Sequence, residues 1–201
     1  MIPTTDPASG NLPVGRYTCT LEEVQQAFVD DPQFAGSSTR QRLFKGLVRY
    51  MAEWERLEEM VGTSDVLRRI WVGGSFTTSK LHPEDVDVSP ILDGPKLDAI
   101  KGKPGCGKMS KLFENRDSVV RDFGVEPFPV TWWPVTTMHA REISIFEHDY
   151  VLARGLMDDF WQRVRSSPVK GPLTVADSEP RRGYLEVIRD GIGGSLSPAA
   201  A

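Results

Sequence analysis

Cysteine is scarce in this sequence, which contains only Cys19 and Cys106 among its 201 residues. The two lie far apart and neither belongs to a CxxC or Cys/His pattern, so the sequence predicts neither a disulfide framework nor a zinc site. Long apolar runs are also missing: no segment approaches the ~18 residues of a membrane-spanning helix, and the first residues lack the basic and apolar regions of a secretion signal. We therefore expect a cytoplasmic protein that does not enter a membrane.

Positive charge is in deficit, with 24 Lys and Arg against 28 Asp and Glu and a net charge of −4. Neutralising the phosphates of DNA or RNA requires clustered Lys and Arg. A broad nucleic-acid surface is therefore not expected, although a local basic patch is compatible with this count. The amounts of Gly and Pro stay below those of low-complexity chains, and the length corresponds to one ordinary domain.

The chain divides into three segments. Residues 1–19 contain a stretch rich in Pro, Gly, Thr and Ser that shows no period, which predicts an irregular N-terminal arm. Residues 20–190 are predicted to form one domain. Residues 191–201 (GIGGSLSPAAA) are predicted to be a disordered tail.

Within the domain, helical and strand patterns alternate. A capping box at Thr20 and Glu23 begins a short helix, and apolar residues at spacings of three and four predict a long helix over residues 39–61. Similar patterns predict strands at 66–72, 85–92, 125–133 and 183–188, and helices at 109–121 and 146–165. In the last helix, the side chains expected to be buried are Tyr150, Leu156, Met157, Phe160, Trp161 and Val164. The sequence thus predicts an α/β (α+β) fold with a mixed β-sheet flanked by helices.

Two carboxylates share one face of a predicted strand. Asp85 and Asp87 lie two residues apart and project together, while Val86 and Val88 project to the opposite side. At ~4 Å and an effective dielectric of about 20, the repulsion between the carboxylates is on the order of 4 kcal/mol. A divalent cation with oxygen ligands would relieve it. The alternative is a half-exposed strand whose solvated face happens to be acidic.

The preceding strand ends in a turn made of Gly73, Gly74 and Ser75. Glycine lets the backbone approach a ligand closely, and the amides of such a turn can bind phosphate oxygens. Nine residues separate Ser75 from Asp85, which is enough for one connection that returns the chain beside the first strand. The turn and the two aspartates are therefore expected to open on the same cleft.

Residues 71–75 (WVGGS), the connection FTTSKLHPE and residues 85–88 (DVDV) together resemble the signature of the nucleotidyltransferase superfamily, which has the DNA polymerase beta-like fold. The stretch GSFTTSKLHPEDVDV also looks like a group of small, mostly uncharacterised bacterial proteins of that superfamily. The resemblance covers most of residues 11–190, and only the two-strand motif is specific. It implies a nucleotidyltransferase-type sheet and a nucleoside triphosphate as substrate.

The resemblance also implies roles for individual residues. Asp85 and Asp87 would hold one or two Mg²⁺ ions that bridge the phosphates while an acceptor hydroxyl attacks the α-phosphorus and pyrophosphate leaves. Such proteins supply a third carboxylate from a later strand, and Glu126 is the best match, although the proline that follows it is unusual. Glu126 would bind the metal ion near the nucleophile or act as the base for that nucleophile. The nucleotide would be held by the turn and by one lysine: Gly73, Gly74, Ser75 and Lys80. For Glu126 and Lys80, the alternative is a solvated side chain.

The reaction itself stays open in two respects. The acceptor could be a protein hydroxyl, a tRNA end or a small molecule. The rival hypothesis is a non-catalytic protein of this fold that binds a nucleotide or a protein partner, for example one half of a toxin–antitoxin pair.

Residues 102–108 match GxxxxGK, but the next residue is Met109 where a P-loop needs Ser or Thr. We interpret residues 101–111 as a flexible basic loop.

Overall fold

A mixed β-sheet forms the centre of the structure, a computed structural model that describes residues 1–137, 139–165 and 174–189. The described residues contain six strands: β1 (Gly15–Cys19), β2 (Leu67–Gly73), β3 (Val86–Asp93), β4 (Val125–Pro127), β5 (Val130–Trp132) and β6 (Gly183–Val187). Their order is β1-β6-β2-β3-β4, and β5 pairs with the second half of β3. The pairs β1–β6, β3–β4 and β3–β5 are parallel, whereas β2 is antiparallel to β3 and to β6.

Six α-helices connect and cover these strands in the part of the chain that is described: α1 (Leu21–Phe28), α2 (Arg40–Val61), α3 (Gly94–Ile100), α4 (Cys106–Glu114), α5 (Arg116–Phe123) and α6 (Ile145–Gln162). The predicted capping box of α1 is confirmed, because the Thr20 hydroxyl accepts from the Glu23 amide while the Glu23 carboxylate accepts from the Thr20 amide. The long amphipathic helix is confirmed as α2. Its predicted apolar face is buried along its whole length: Leu43, Leu47, Tyr50, Met51, Trp54, Leu57 and Val61.

The sheet separates two apolar clusters. On one face, Val86 and Val88 of β3 pack into the main core with the buried side of α2. On the other face, Trp71 and Ile91 pack with Trp161 of α6. The α/β class, the mixed sheet and the single domain are therefore confirmed, and the alternation of β3 puts Asp87 on the α6 side.

Several predicted boundaries were wrong. Residues 15–19, assigned to the irregular arm, form β1. The predicted strand 125–133 is two strands, because Pro127 and Pro129 lack the amide hydrogens that a continuous ladder needs. The predicted helix 109–121 is interrupted at Asn115, whose side chain caps α5 by accepting from the Ser118 amide.

The predicted basic loop at 101–111 was also only partly right, because α4 begins at Cys106. In α6, only Tyr150 and Trp161 of the expected apolar side chains are buried, and Leu156 is 60% exposed. Only a narrow stripe of this helix contacts the sheet: Ala153 and Met157 are half-buried beside it, and most of the other apolar residues face outwards. The predicted tail lies outside the described residues. None of the described helices is long and apolar enough to cross a membrane.

Candidate functional site

Three neighbouring strands bring the predicted site residues into one row. Gly73 of β2 pairs with Asp87 of β3, and Asp87 pairs in turn with Glu126 of β4. Asp85 directly precedes β3. The predicted adjacency of the first two strands is confirmed, and the third carboxylate lies beside the first two in the register. Pro127 fits here because β4 is the edge of the sheet, where a missing backbone donor costs little.

The glycine turn lies directly against the carboxylate of Asp87. Gly74 has a φ of +66°, and a Cβ atom added to it would come within 1.7 Å of the Asp87 Oδ2 atom. A Cβ atom on Gly73 would come within 2.4 Å of the Trp161 ring. No residue with a side chain fits either position without displacing a neighbour. A short 3₁₀ helix begins at Gly74, and Ser75 is partly exposed at its start.

Burial and charge repulsion both act on the two aspartates. Burial, the nearby charge of Asp85 and the carboxyl group of Glu126, which lies within hydrogen-bonding reach, raise the pKa of Asp87 to about 7, and Arg182 opposes the shift. The pKa of Asp85 is raised as well, by burial and then by the charges of Glu126 and Glu84, with Lys80 acting in the opposite direction. Asp87 therefore binds its proton more tightly than an ordinary aspartate does.

Glu126 has a cationic partner of its own. The Arg116 guanidinium, at the start of α5, forms an ion pair with the Glu126 carboxylate and also lies over the Phe128 ring at 4.4 Å from its centroid. Among the described residues, no three His, Cys, Asp or Glu side chains are grouped in an arrangement that could hold a metal ion. Asp85 and Asp87 have hard oxygen donors, and the charge repulsion on Asp87 suits the binding of a divalent cation. Glu126 would have to leave Arg116 to join them.

Lys80 lies on the connection between the two site strands and is exposed. Its ammonium group is 4.0 Å from the Glu84 carboxylate, so it pairs loosely with a neighbour on the same loop. Arg40 fixes the backbone of this loop, because its guanidinium donates to the carbonyl oxygens of Thr78 and Lys80 at 2.6 and 2.7 Å. Lys80 is therefore an exposed cation on a loop whose backbone is held by Arg40, and its charge acts on Asp85.

Sequence reasoning missed three residues of this site: Arg116, Trp161 and Arg182. Arg182 directly precedes β6, donates from Nε to the Trp161 carbonyl oxygen at 2.9 Å, and is the cation whose charge acts on Asp87. Burial lowers the pKa of Arg182, and the charge of Asp87 opposes that shift. The late segment PRRGYLEVI was visible in the sequence, but nothing in it indicated which arginine reaches the carboxylates.

The fold and the site together define a class: an α/β protein with a mixed sheet that gathers three carboxylates beside a glycine turn at one end of its central strands. The chain belongs to DUF6932, a family of unknown function, whose model matches residues 3–187. Searches of curated proteins and of solved structures found no significant match. The family match covers every residue of the site described above.

Proposed function

We propose that this protein is a Mg²⁺-dependent nucleotidyltransferase that moves a nucleotide from a nucleoside triphosphate to an acceptor. The observation that carries the proposal is the contact between the Asp87 carboxylate and Gly74, with Asp85 beside them. Two carboxylates that repel each other next to an open backbone turn are suited to a cation and to phosphate oxygens at the same time. The resemblance of residues 71–88 to the nucleotidyltransferase signature supports the same reaction.

Each part of the site has a task in this reaction. Asp85 and Asp87 would hold Mg²⁺, which when bound neutralises the charge that develops on the phosphates. The turn of Gly73, Gly74 and Ser75 would bind phosphate oxygens through its backbone amides, because its two glycines have no side chains that would block their approach. Glu126, once released from Arg116, would orient the acceptor hydroxyl and accept its proton.

Two cations could support the triphosphate. Arg182 lies close enough to Asp87 for its charge to lower the pKa of that aspartate. Lys80 is exposed on a loop whose backbone is fixed by Arg40. Guanidinium and ammonium groups both bind phosphate oxygens, the former with two parallel hydrogen bonds. The acceptor stays within the classes named above: a protein hydroxyl, a tRNA end or a small molecule.

The test is transfer of label. The protein is incubated with each α-labelled nucleoside triphosphate and Mg²⁺ in cell extract, and the protein, RNA and small-molecule fractions are counted. We expect one fraction to be labelled, and Asp87→Asn to reduce labelling at least 100-fold while the protein keeps its fold. Asp30→Asn, which changes an exposed aspartate in the turn after α1, is the matched control and should retain full labelling. Full transfer by Asp87→Asn would overturn the metal mechanism.

A second function is favoured by one observation on α6. Its outer face exposes Ile145, Val151, Leu152 and Leu156, each at least half exposed. An apolar stripe of this kind is typical of an interface with another protein, as expected for a non-catalytic binding protein such as a toxin–antitoxin component. If no fraction is labelled, and Leu156→Glu disrupts binding to a partner while Asp87→Asn does not, this function replaces the first.

A further inference from the structure

A second cavity lies on the same side of the sheet as α6, apart from the carboxylate site. It has a volume of about 240 Å³ and is lined by Arg16, Arg68, Arg69, Trp71, Ile91, Trp132, Tyr150, Arg154 and Glu186. Ile91 and Asp87 are four residues apart on β3, so the cavity is roughly 13 Å from the carboxylates along the strand. We call it the arginine pocket.

Positive charge is concentrated in the arginine pocket, although the whole chain has a net charge of −4. Four guanidinium groups line it, and two carboxylates pair with them: Asp93 with Arg68, and Glu186 with both Arg69 and Arg16. The pocket therefore has a surplus of two positive charges. Within the described residues Arg154 forms no ion pair, and its one hydrogen-bond partner is the Tyr150 hydroxyl, at 3.4 Å.

The carboxylates of Asp93 and Glu186 also form hydrogen bonds with neighbouring residues of the fold. The Asp93 side chain also accepts from the Lys96 amide at the start of α3. Burial raises the pKa of Glu186, but hydrogen bonds from Trp71 and Arg69 lower it by more than burial raises it. The pKa of Glu186 therefore lies below its usual value, and the side chain stays charged. Neither carboxylate is free to neutralise Arg154.

The backbone of β2 is built so that two successive arginines reach the pocket. Leu67 pairs with Leu92 and Arg69 with Ile91, so β2 advances two residues while β3 advances one. This β-bulge at Arg68 interrupts the strand alternation, and bulges commonly redirect a side chain toward a site. In a regular strand, Arg68 and Arg69 would point to opposite faces.

Two of the pocket arginines, Arg68 and Arg16, lie against tryptophan rings. The Arg68 guanidinium lies 3.7 Å above the centroid of the Trp132 ring, and that of Arg16 lies 5.6 Å from the Trp71 ring. A guanidinium that is stacked in this way loses little further freedom when it binds a ligand. Arg68 is therefore a pre-oriented donor, and Arg16 is held more loosely by its ring.

We infer that the arginine pocket is a binding site for a small phosphate-containing anion, such as pyrophosphate or a compact phosphate ester. Guanidinium groups bind phosphate oxygens with two parallel hydrogen bonds, and the surplus of positive charge suits an anion that carries two to three negative charges at neutral pH. The volume is below the roughly 300–1,000 Å³ of pockets that hold drug-sized ligands, so the ligand is small. A nucleic-acid backbone would need a far wider basic surface. The inference does not depend on the proposed function.

The experiment is calorimetric titration of pyrophosphate, and separately of orthophosphate, into the full chain at low ionic strength with a chelator present. We expect saturable binding of one pyrophosphate per chain. Arg154→Gln and Arg16→Gln should each weaken it about tenfold, because each removes a charged hydrogen bond. Arg42→Gln, an exposed arginine on α2, is the matched control and should change affinity less than twofold.

Three results would overturn the inference. The first is no saturable binding of either anion. The second is equal weakening by Arg154→Gln and Arg42→Gln, which would indicate a general charge effect. The third is loss of binding in Asp87→Asn, which would place the anion at the carboxylates. Unchanged binding in Asp87→Asn supports the arginine pocket even if the nucleotidyl-transfer test fails.

Discussion

Asp87 is partly buried between two other carboxylates and one arginine. Burial, Asp85 and Glu126 all favour its protonated form, and the charge of Arg182 opposes them. A carboxyl group whose pKa is higher in the folded chain than in the unfolded chain binds a proton more tightly when folded. It therefore stabilises the fold at low pH, and this contribution is lost as pH rises through the folded pKa.

This sign gives a prediction for Asp87→Asn in metal-free protein. The usual pKa of an aspartate is 3.8 and that of Asp87 is about 7, so the ionised side chain destabilises the wild type above pH 7. We expect the variant to be more stable than the wild type at pH 8.5 by about 2 kcal/mol, and the difference to shrink toward pH 5. Urea unfolding with a chelator at several pH values measures this, and parallel pH profiles of the two proteins would contradict it.

For single residues, the sequence predicted the position of a side chain correctly where that position depends only on neighbours in the chain. The period of two in β3 placed Asp85 and Asp87 on one face, and the glycines marked a close backbone approach; both follow from neighbours in the chain. Arg182 and Arg116 were not predictable in the same way. Each reaches its carboxylate through tertiary packing, and a surface arginine has the same local pattern as one that faces a site.

The connection between β2 and β3 is positioned by Arg40, a charged side chain that is 1% exposed. Its guanidinium donates to four backbone carbonyl oxygens, those of Phe28, Phe76, Thr78 and Lys80, at 2.6–2.9 Å. Burial lowers the pKa of Arg40 to about 10, so it remains charged at neutral pH. One residue of α2 thus ties the end of α1 to the loop that carries Lys80.

We predict that Arg40→Met destabilises the protein by at least about 3 kcal/mol, because it leaves several buried carbonyl oxygens without a donor. Arg40→Lys should recover only part of this loss, since an ammonium group cannot reach all four acceptors. Arg42→Met, two positions along the same helix and exposed, should change the free energy of unfolding by less than about 0.5 kcal/mol. Urea unfolding measures all three. Similar losses at positions 40 and 42 would refute this role.

At the element scale, periodicity predicted the helices and strands that have one buried face and enough length to show it. The failures have specific causes. β1 is five residues long and follows an irregular segment, so its alternation is too short to recognise. In α6, sequence spacing indicated an amphipathic helix but not that only a narrow stripe would meet the sheet. Which side of a helix is covered depends on its neighbours.

The sheet as a whole depends on the N-terminal segment. β1 is an outer strand that pairs in parallel with β6, and the Thr18 hydroxyl donates to the Glu186 carboxylate. Leu12, which precedes β1, and Cys19, its last residue, are 1% and 2% exposed. Without β1, one side of β6 would become an unpaired edge, and unpaired edges promote association between chains.

Deleting residues 1–19 should therefore lower the free energy of unfolding by at least about 3 kcal/mol, a typical effect of removing large buried side chains. The truncated protein should also aggregate at concentrations that the full chain tolerates. Deleting only residues 1–5, which leaves β1 intact, should have a much smaller effect. Urea unfolding and light scattering compare the two, and equal effects would show that β1 contributes little.

The strand order has a consequence for how the chain reaches its native state. β6, the last strand of the described chain, inserts between β1 and β2. While the protein is being synthesised, β1 and β2 therefore face a gap that stays open until nearly all preceding elements have emerged. Contacts this distant in sequence slow folding. During that interval, the gap can accept the same strand from a second copy, so domain swapping is the misfolding route that this topology favours.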